Sequence, residues 1–159
     1  GEFSGLAATE EFAAAIDMHS KISLGLNYSK LHEASNLVSK ITGIETPPFK
    51  PITGKSALAI PETEETQEFM YNLNLENKID EGMPIPPHLI GKNVKFSIGK
   101  KCNEFTVLYN LKECGYEISN REAKIIAKEV RRRLSTRNKY CLITQNDLVS
   151  IYLKIKDKL

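Results

Sequence analysis

The sequence SNREAKIIAKEVRRRL, residues 119–134, carries the clearest structural signal in the chain. Its first four residues form a capping box, in which the Ser119 hydroxyl bonds a backbone N–H of the first helical turn and Glu122 reaches back. One helix face then carries an apolar residue every four positions, at Ile126, Val130 and Leu134. This stretch therefore predicts a capped, amphipathic α-helix with one buried side.

The segments on either side of this helix show related patterns. Thr144 is predicted to cap a final helix, and residues 102–114 form another helix that ends before Gly115. The apolar faces of these two helices consist of Leu148, Ile151, Ile155, Val107, Leu111 and Cys114. Residues 94–98 alternate apolar and polar side chains, which predicts one short strand or extended segment. The predicted fold class is mostly α.

The first half of the chain is predicted to contain two further helices. Thr9 is expected to cap a helix over residues 7–20. A second helix over residues 28–42 ends at Gly43. Its apolar stripe, which we expect to lie in the core, consists of Leu31, Ala34, Val38 and Ile41.

Two proline-rich connectors, residues 44–61 and 82–91, follow these helices and contain all seven prolines. Proline fixes φ and removes a hydrogen-bond donor, so both connectors should run extended. Between them, residues 62–81 hold seven acidic side chains. The segment Glu62–Leu73 is predicted to be a short acidic surface helix, with Phe69, Met70 and Leu73 as its apolar side.

The composition of the 159 residues is that of a globular chain, with 41% hydrophobic and 26% charged residues. The net charge of +2 hides a division: residues 1–120 carry 11 basic and 16 acidic side chains, and residues 121–159 carry 11 basic and 4 acidic ones. No apolar run reaches the roughly 20 residues of a membrane helix, and the first residues lack a signal-peptide pattern. We therefore expect a cytoplasmic protein that does not contact the membrane.

The basic cluster in the last third raises the question of nucleic-acid binding. Arg131-Arg132-Arg133, Arg137 and Lys139 could neutralise phosphates. They could equally complement the negative end of the helix dipole. Residues 135–143 are too long for the turn of a helix-turn-helix, and no aromatic residues alternate with the basic ones. Nucleic-acid binding is therefore the less favoured interpretation.

The cysteines and histidines do not predict a metal site. The spacings of Cys102, Cys114 and Cys141 are not those of metal ligands. The histidines, His19, His32 and His88, are scattered, and none has a cysteine or carboxylate at a ligand spacing. We expect three free thiols in a reducing compartment and no metal bound by this chain itself.

Six segments, in order along the chain, resemble motifs of one enzyme family. The first, LHEASNLVSKITG at residues 31–43, is similar to the pattern L-x-x-x-S-x-L-V-x-x-x-T-G. The others are PPFKPITG, HLIG, SIGK, LKECGYEIS and TQNDL, at residues 47–54, 88–91, 97–100, 111–119 and 144–148. As an ordered series they resemble the C-terminal part of the 2-isopropylmalate synthase, homocitrate synthase and citramalate synthase family.

The resemblance implies a fold and an activity. Members of the family join acetyl-CoA to an α-keto acid in a Claisen-type condensation, on a (β/α)₈ barrel that holds a divalent metal and is followed by helical subdomains. Residues 1–43 would be the end of the barrel with its linker helices, 44–91 a proline-rich linker and small acidic subdomain, and 92–159 the C-terminal helical subdomain. We expect a homodimeric full-length enzyme, with no cofactor in this chain and no activity from it alone.

The chain departs from the family pattern at positions that carry chemistry in the family. Phe3 and Leu6 replace an arginine and an asparagine of the segment G-E-R-x-G-N-A. Ile60 stands where the family has a lid histidine, and isoleucine cannot transfer a proton. Lys101-Cys102-Asn103 replaces His-Ser-Gly in the G-K-H-S-G turn. These departures fit a diverged member, such as a Re-type citrate synthase acting on oxaloacetate, or a homocitrate synthase acting on 2-oxoglutarate.

The resemblance leaves few candidates for site residues. Glu2, Lys100 and Tyr116 are the catalytic or lid candidates, and Gly5 is the candidate for substrate binding. The first three residues, Gly-Glu-Phe, are equally consistent with a cloning scar. Two alternatives stay open: a separate helical subunit of a split synthase, and a basic helical module that binds nucleic acid.

Overall fold

The computed structural model describes residues 5–20, 22–60, 63–136 and 142–156. These residues form two strands, β1 (Ala59–Ile60) and β2 (Lys95–Phe96), and six α-helices. The helices are α1 (Thr9–His19), α2 (Leu31–Thr42), α3 (Glu64–Leu75), α4 (Glu104–Glu113), α5 (Asn120–Leu134) and α6 (Gln145–Ile155). Short 3₁₀ helices span Tyr28–Lys30, Ile79–Gly82 and Pro87–Ile90. The predicted mostly-α fold class is confirmed.

None of the helices in this described part is long and apolar enough to cross a membrane.

The chain divides into two compact units. Unit 1 comprises the described parts of 1–58 and 83–94, and unit 2 comprises those of 59–82 and 95–159.

The core of unit 2 lies between α4, α5 and α6. The predicted capping box of α5 is present, with the Glu122 backbone N–H donating to the Ser119 hydroxyl at 3.3 Å. Thr144 and Asp147 form a second capping box at the start of α6. Thirteen buried residues of the described ranges form this core, among them Val107, Leu111, Ile126, Val130, Leu134 and Leu148. The predicted apolar faces of these three helices are thus the faces that pack together.

The two strands of unit 2 pair in parallel, with Ala59 opposite Lys95 and Ile60 opposite Phe96. The extended segment at residues 94–98 was predicted, but its partner β1 was not. A strand of two residues has too few positions to show alternation, and its pairing is set by contacts distant in sequence. Phe96 is buried against Tyr109 of α4, with ring centroids 4.1 Å apart.

Unit 1 has a smaller core. Ala14 of α1 packs with Ile52, Leu58 and Ile90, and the Tyr28 hydroxyl donates to the Ala13 carbonyl at 3.1 Å. The prediction that Thr9 caps α1 is wrong, because Ala8 occupies the N-cap position and no side chain caps this helix. The predicted end of α2 is confirmed, since Gly43 adopts a left-handed φ of 73°.

The prediction that the apolar stripe of α2 lies in the core is wrong for three of its four residues, because only Leu31 packs against the core of unit 1. No residue of α2 is buried, and Val38 and Ile41 are exposed. The helix contacts its own unit through Leu31 at its start and through polar side chains along the rest of its length, as described below. In α3 the predicted apolar side is also only partly right, because Met70 is buried while the neighbouring Phe69 is exposed.

Candidate functional site

Residues 47–54, here called the 47–54 loop, form a series of tight turns in unit 1. The Gly54 N–H donates to the Lys50 carbonyl at 2.9 Å, and the Ser56 N–H donates to the Pro48 carbonyl at 2.8 Å. Ile52 has a φ of +64°, which is an outlier for a β-branched residue. Such backbone costs about 1–3 kcal/mol and persists only where its surroundings impose it. The loop is therefore held in shape by contacts with the rest of unit 1.

Two side chains bind the carbonyl groups of this loop, His32 of α2 and Lys92, which directly follows the second connector. The His32 ring lies with Nδ1 2.9 Å from the Thr53 carbonyl oxygen, so Nδ1 is the protonated, donating nitrogen. The other ring nitrogen, Nε2, is 3.2 Å from the Asn36 amide nitrogen and accepts from it. The Lys92 ammonium donates to the Gly54 carbonyl at 2.7 Å. These contacts make His32 and Lys92 anchors of the loop.

Lys50 anchors the same loop to α1. Its ammonium lies 2.6 Å from the Glu11 carboxylate and 3.0 Å from the Glu10 carboxylate. Hydrogen bonds to Glu11 and then to Glu10 raise the pKa of Lys50 above its ordinary value. Lys50 thus stays cationic and paired, which suits a structural role and not that of a general base.

The turn at residues 97–103 in unit 2 contains the departures from the family's G-K-H-S-G pattern. The Cys102 N–H donates to the Gly99 carbonyl at 3.0 Å, and the Cys102 side chain is fully buried. Asn103 caps α4, since its side-chain oxygen accepts from the Thr106 N–H at 3.0 Å. The Arg131 guanidinium donates to the Cys102 carbonyl. Cys102 and Asn103 therefore serve packing and capping in this turn.

A set of buried amides and hydroxyls lies behind this turn. The Thr106 hydroxyl donates to Gln67 of α3, and the Asn110 amide donates to the Phe96 carbonyl of β2 at 3.1 Å. Gln145 of α6 donates to Asn110 at 3.0 Å. The side chains of this network are threonine, asparagine and glutamine, which do not exchange protons at physiological pH. This network connects secondary-structure elements and offers no acid or base for catalysis.

The structure places the predicted site residues in different surroundings. Lys100 is half-buried in the 97–103 turn. Tyr116 packs against the core of unit 2 with its ring 5.3 Å from that of Tyr152. The two residues flank opposite ends of α4, which is about 15 Å long at 1.5 Å per residue, so the structure does not bring them together. Gly5 is exposed in unit 1, and Glu2 lies outside the described residues.

In the structure, the three consecutive arginines of the basic cluster bind other groups of the same chain. Arg132 and Arg133 both donate to Glu129, with shortest distances of 2.7 and 2.6 Å, while Arg131 binds the Cys102 carbonyl. Each of these three arginines therefore has an intramolecular partner. Arg137 and Lys139 lie outside the described residues. No group of three histidine, cysteine or carboxylate side chains that could hold a metal ion occurs in the described part of the chain.

The ion pairs of Glu129 with Arg132 and Arg133 predict how the stability of the fold depends on pH. Hydrogen bonds from Arg132 and then Arg133 lower the pKa of Glu129 from 4.5 to about 2. A depressed carboxyl pKa stabilises the folded state above the unfolded pKa, and this stabilisation is lost as the pH falls through the folded pKa. We expect the wild type to unfold at higher urea than the Glu129→Gln variant at neutral pH, and the difference to shrink between pH 4.5 and 2. If the difference in urea midpoint between the two proteins stays constant from pH 4.5 to 2, the pKa of Glu129 is not lowered by its arginine partners.

Unit 1 also contains an open cleft of about 540 Å³ beside α1. Its walls are mostly apolar, and its polar groups are already engaged. The Leu24 N–H donates to the Asp17 carboxylate at 2.7 Å, and the Tyr28 hydroxyl donates to the Ala13 carbonyl. Partial burial and the neighbouring Asp17 carboxylate raise the pKa of Tyr28 to about 12. Tyr28 therefore remains protonated and is not a base at neutral pH.

Comparisons with known proteins show which proteins this chain is similar to. No protein-family model matches it. It is 33% identical over 132 residues to a probable 2-isopropylmalate synthase of Ignicoccus hospitalis, covering 83% of this chain and 32% of that protein. It is also 30% identical over 160 residues to the 2-isopropylmalate synthase of Geobacillus stearothermophilus, covering 98% and 29%. This chain is a relative of the 2-isopropylmalate and citramalate synthases.

The synthase relatives are matched along nearly all of this chain but only part of their own length. A putative (R)-citramalate synthase of Methanopyrus kandleri is 29% identical over 151 residues, covering 95% of this chain and 28% of that protein. The chain thus spans about a third of the length of these synthases, and it matches their C-terminal part. The resemblance predicted from the ordered motifs is confirmed.

Proposed function

We propose that this chain is the C-terminal portion of an acetyl-CoA-dependent synthase that condenses an α-keto acid. The preferred reaction is the conversion of oxaloacetate to citrate with Re specificity, and the second is the conversion of 2-oxoglutarate to homocitrate. The chain would supply lid contacts and subunit contacts to a cytoplasmic homodimer, while the reaction takes place in a barrel portion. By itself it would have no activity.

The observation that carries this proposal is the position and extent of the similarity. Relatives named as condensing synthases match 83–98% of this chain but only 29–32% of their own length. The proposal leaves metal binding to the barrel portion.

The departures from the family pattern support a structural role for this portion. Ile60, which stands in place of a lid histidine, is buried in β1. Cys102 and Asn103, which stand in place of serine and glycine, are buried and serve packing and capping. Packing and capping by these side chains are what we expect of a portion that shapes a lid.

Unit 1 supports the proposal through its exposed apolar side chains. Large apolar side chains are exposed in α1, in α2 and in the segments after both helices, for example Phe12, Leu24 and Phe49. Monomeric proteins rarely expose apolar surface on this scale without a partner. A barrel portion, joined in one polypeptide or supplied as the other subunit of a split enzyme, would cover part of it. Co-purification of a separate barrel chain from the source cells would favour the split enzyme.

An assay of the isolated chain tests this assignment of roles. In the proposed condensation the acetyl methyl group loses a proton, its carbon joins the keto carbon, and hydrolysis of the thioester releases CoA with a free thiol. We expect no release of CoA thiol above the blank when the chain is incubated with acetyl-CoA, a divalent metal and either oxaloacetate or 2-oxoglutarate. A blank without keto acid corrects for the chain's own cysteines. Turnover at an enzymatic rate would overturn the proposal.

A further inference from the structure

The open cleft beside α1 has the size of a small-molecule site. Its volume is about 540 Å³, and ligand sites in proteins usually measure roughly 300–1,000 Å³. The second half of α1 and the 3₁₀ helix Pro87–Ile90 both line it, and both belong to unit 1. Two of the lining residues, Ala14 and Ile90, are buried in the core of that unit. The cleft is therefore a feature of unit 1 itself.

Most of the side chains that line the cleft are apolar. Met18, Leu26, Ile85 and Leu89 are among them, and Leu26 and Leu89 are 47% and 44% exposed. An apolar ligand that displaces water from such side chains is favoured by the hydrophobic effect. The cleft therefore suits a ligand with an aliphatic body.

Among the described residues that line the cleft, one side chain is charged, the carboxylate of Asp17. Its Oδ1 atom accepts from the Leu24 N–H at 2.7 Å, and the Tyr28 hydroxyl, also in the lining, lies beside the same carboxylate. A carboxylate has about four acceptor sites, so Asp17 can accept further hydrogen bonds. A cationic ligand group would be attracted to it, and an anionic group would be repelled.

The end of α1 adds to this preference for a cation. The helix ends at His19, and Asp17 and Met18 of its last turn line the cleft. The last four carbonyl groups of a helix have no partner within the helix and carry a partial negative charge. The Ser20 N–H binds one of them, the Ile16 carbonyl. The others favour positive charge at the same end of the cleft as Asp17.

We propose that this cleft binds a primary alkylammonium ion, with its ammonium group on the Asp17 carboxylate and its alkyl chain between α1 and the Pro87–Ile90 helix. A primary ammonium group has three N–H donors and no acceptor, which matches a carboxylate beside unpaired helix carbonyls. The site is independent of the proposed condensation, because acetyl-CoA and α-keto acids carry no alkylammonium group. Each of the two proposals can therefore fail without the other.

An NMR titration of the full 159-residue chain tests the site with three probes, pentylamine, pentan-1-ol and pentanoate. The probes share an alkyl chain and differ in the charge of the head group. We expect a Kd of about 1 mM for pentylamine, which is usual for a ligand of this size. Pentan-1-ol should bind about tenfold more weakly, since hydrogen bonds to charged groups are the stronger ones. Pentanoate should not bind, and the Leu24 amide signal should shift with pentylamine.

Three variants locate the binding. Asp17→Asn removes the charge, keeps an oxygen for the Leu24 N–H, and should reduce the affinity for pentylamine to that for pentan-1-ol. Glu45→Gln is the matched control, because it removes the carboxylate of an exposed unit 1 residue outside the cleft, and it should leave both affinities unchanged. Leu89→Ser, at an exposed position of the apolar wall, should weaken both probes by a similar factor. Circular dichroism confirms that the variants are folded.

Three results would overturn the proposal. The first is the absence of saturable shifts up to about 20 mM pentylamine, some twenty times the expected Kd. The second is equal affinity for pentylamine and pentan-1-ol, which would make the cleft a purely apolar site. The third is an Asp17→Asn variant that binds pentylamine as tightly as the wild type does.

Discussion

Replacing Ile126 by alanine is expected to lower the free energy of unfolding of unit 2 by about 2–5 kcal/mol. Ile126 is fully buried on α5, in the core that this helix forms with α4 and α6. The substitution removes buried methyl and methylene groups and leaves a cavity that the close-packed helices fill only in part. Urea denaturation followed by circular dichroism measures the change.

The neighbouring residue provides a matched control. Ile125 is one position along the same helix but 40% exposed. Ile125→Ala makes the same chemical change without opening a comparable cavity, and alanine has the higher helix propensity. We expect an effect within about 1 kcal/mol of zero. Equal losses for the two variants would contradict the assignment of α5's buried face.

Replacing Gly54 by alanine is expected to destabilise the 47–54 loop by about 1–3 kcal/mol. A Cβ atom at this position would lie 2.5 Å from the Lys50 carbonyl oxygen and 2.6 Å from that of Pro48. Both contacts are with backbone atoms, so the loop itself must shift. That shift would disturb the buried carbonyl groups that His32 and Lys92 bind.

Hydrogen exchange of the peptides that cover residues 31–58 measures this loss locally. Lys55→Ala is the control, since Lys55 is the next residue and is exposed. We expect Gly54→Ala to speed exchange in these peptides and Lys55→Ala to leave it unchanged. If these peptides exchange as slowly in the Gly54→Ala variant as in the wild type, the 47–54 loop has more space around Gly54 than the structure shows.

The helices of unit 2 were predictable because their signals are local. The capping boxes at Ser119 and Thr144 each lie within four residues, and the stripes on α5 and α6 repeat within a single helix. The orientation of α2 was not predictable in the same way. Periodicity shows that Val38 and Ile41 share a face, but it does not show what covers that face, which depends on Thr46 and Thr53 binding the opposite side.

The same difference between local signals and contacts distant in sequence applies to the site residues. Lys100 and Tyr116 were found through ordered motifs, and their roles remain predictions. The contacts that hold the 47–54 loop join residues far apart in sequence, such as Lys50 with Glu11 and His32 with Thr53. No spacing rule connects such pairs. The buried amides Gln67 and Asn110 are visible in the sequence in one way, because they are polar residues that interrupt the apolar sides of α3 and α4.

The most direct test of the central claim is the activity of the native protein that contains this chain. Antibodies raised against the purified chain would isolate that protein from the source cells, with any bound subunit. The proposed function predicts that the isolated material releases CoA from acetyl-CoA only when oxaloacetate or 2-oxoglutarate is added, while the chain alone does not. Native material that releases no CoA with any α-keto acid would contradict the assignment to a condensing synthase.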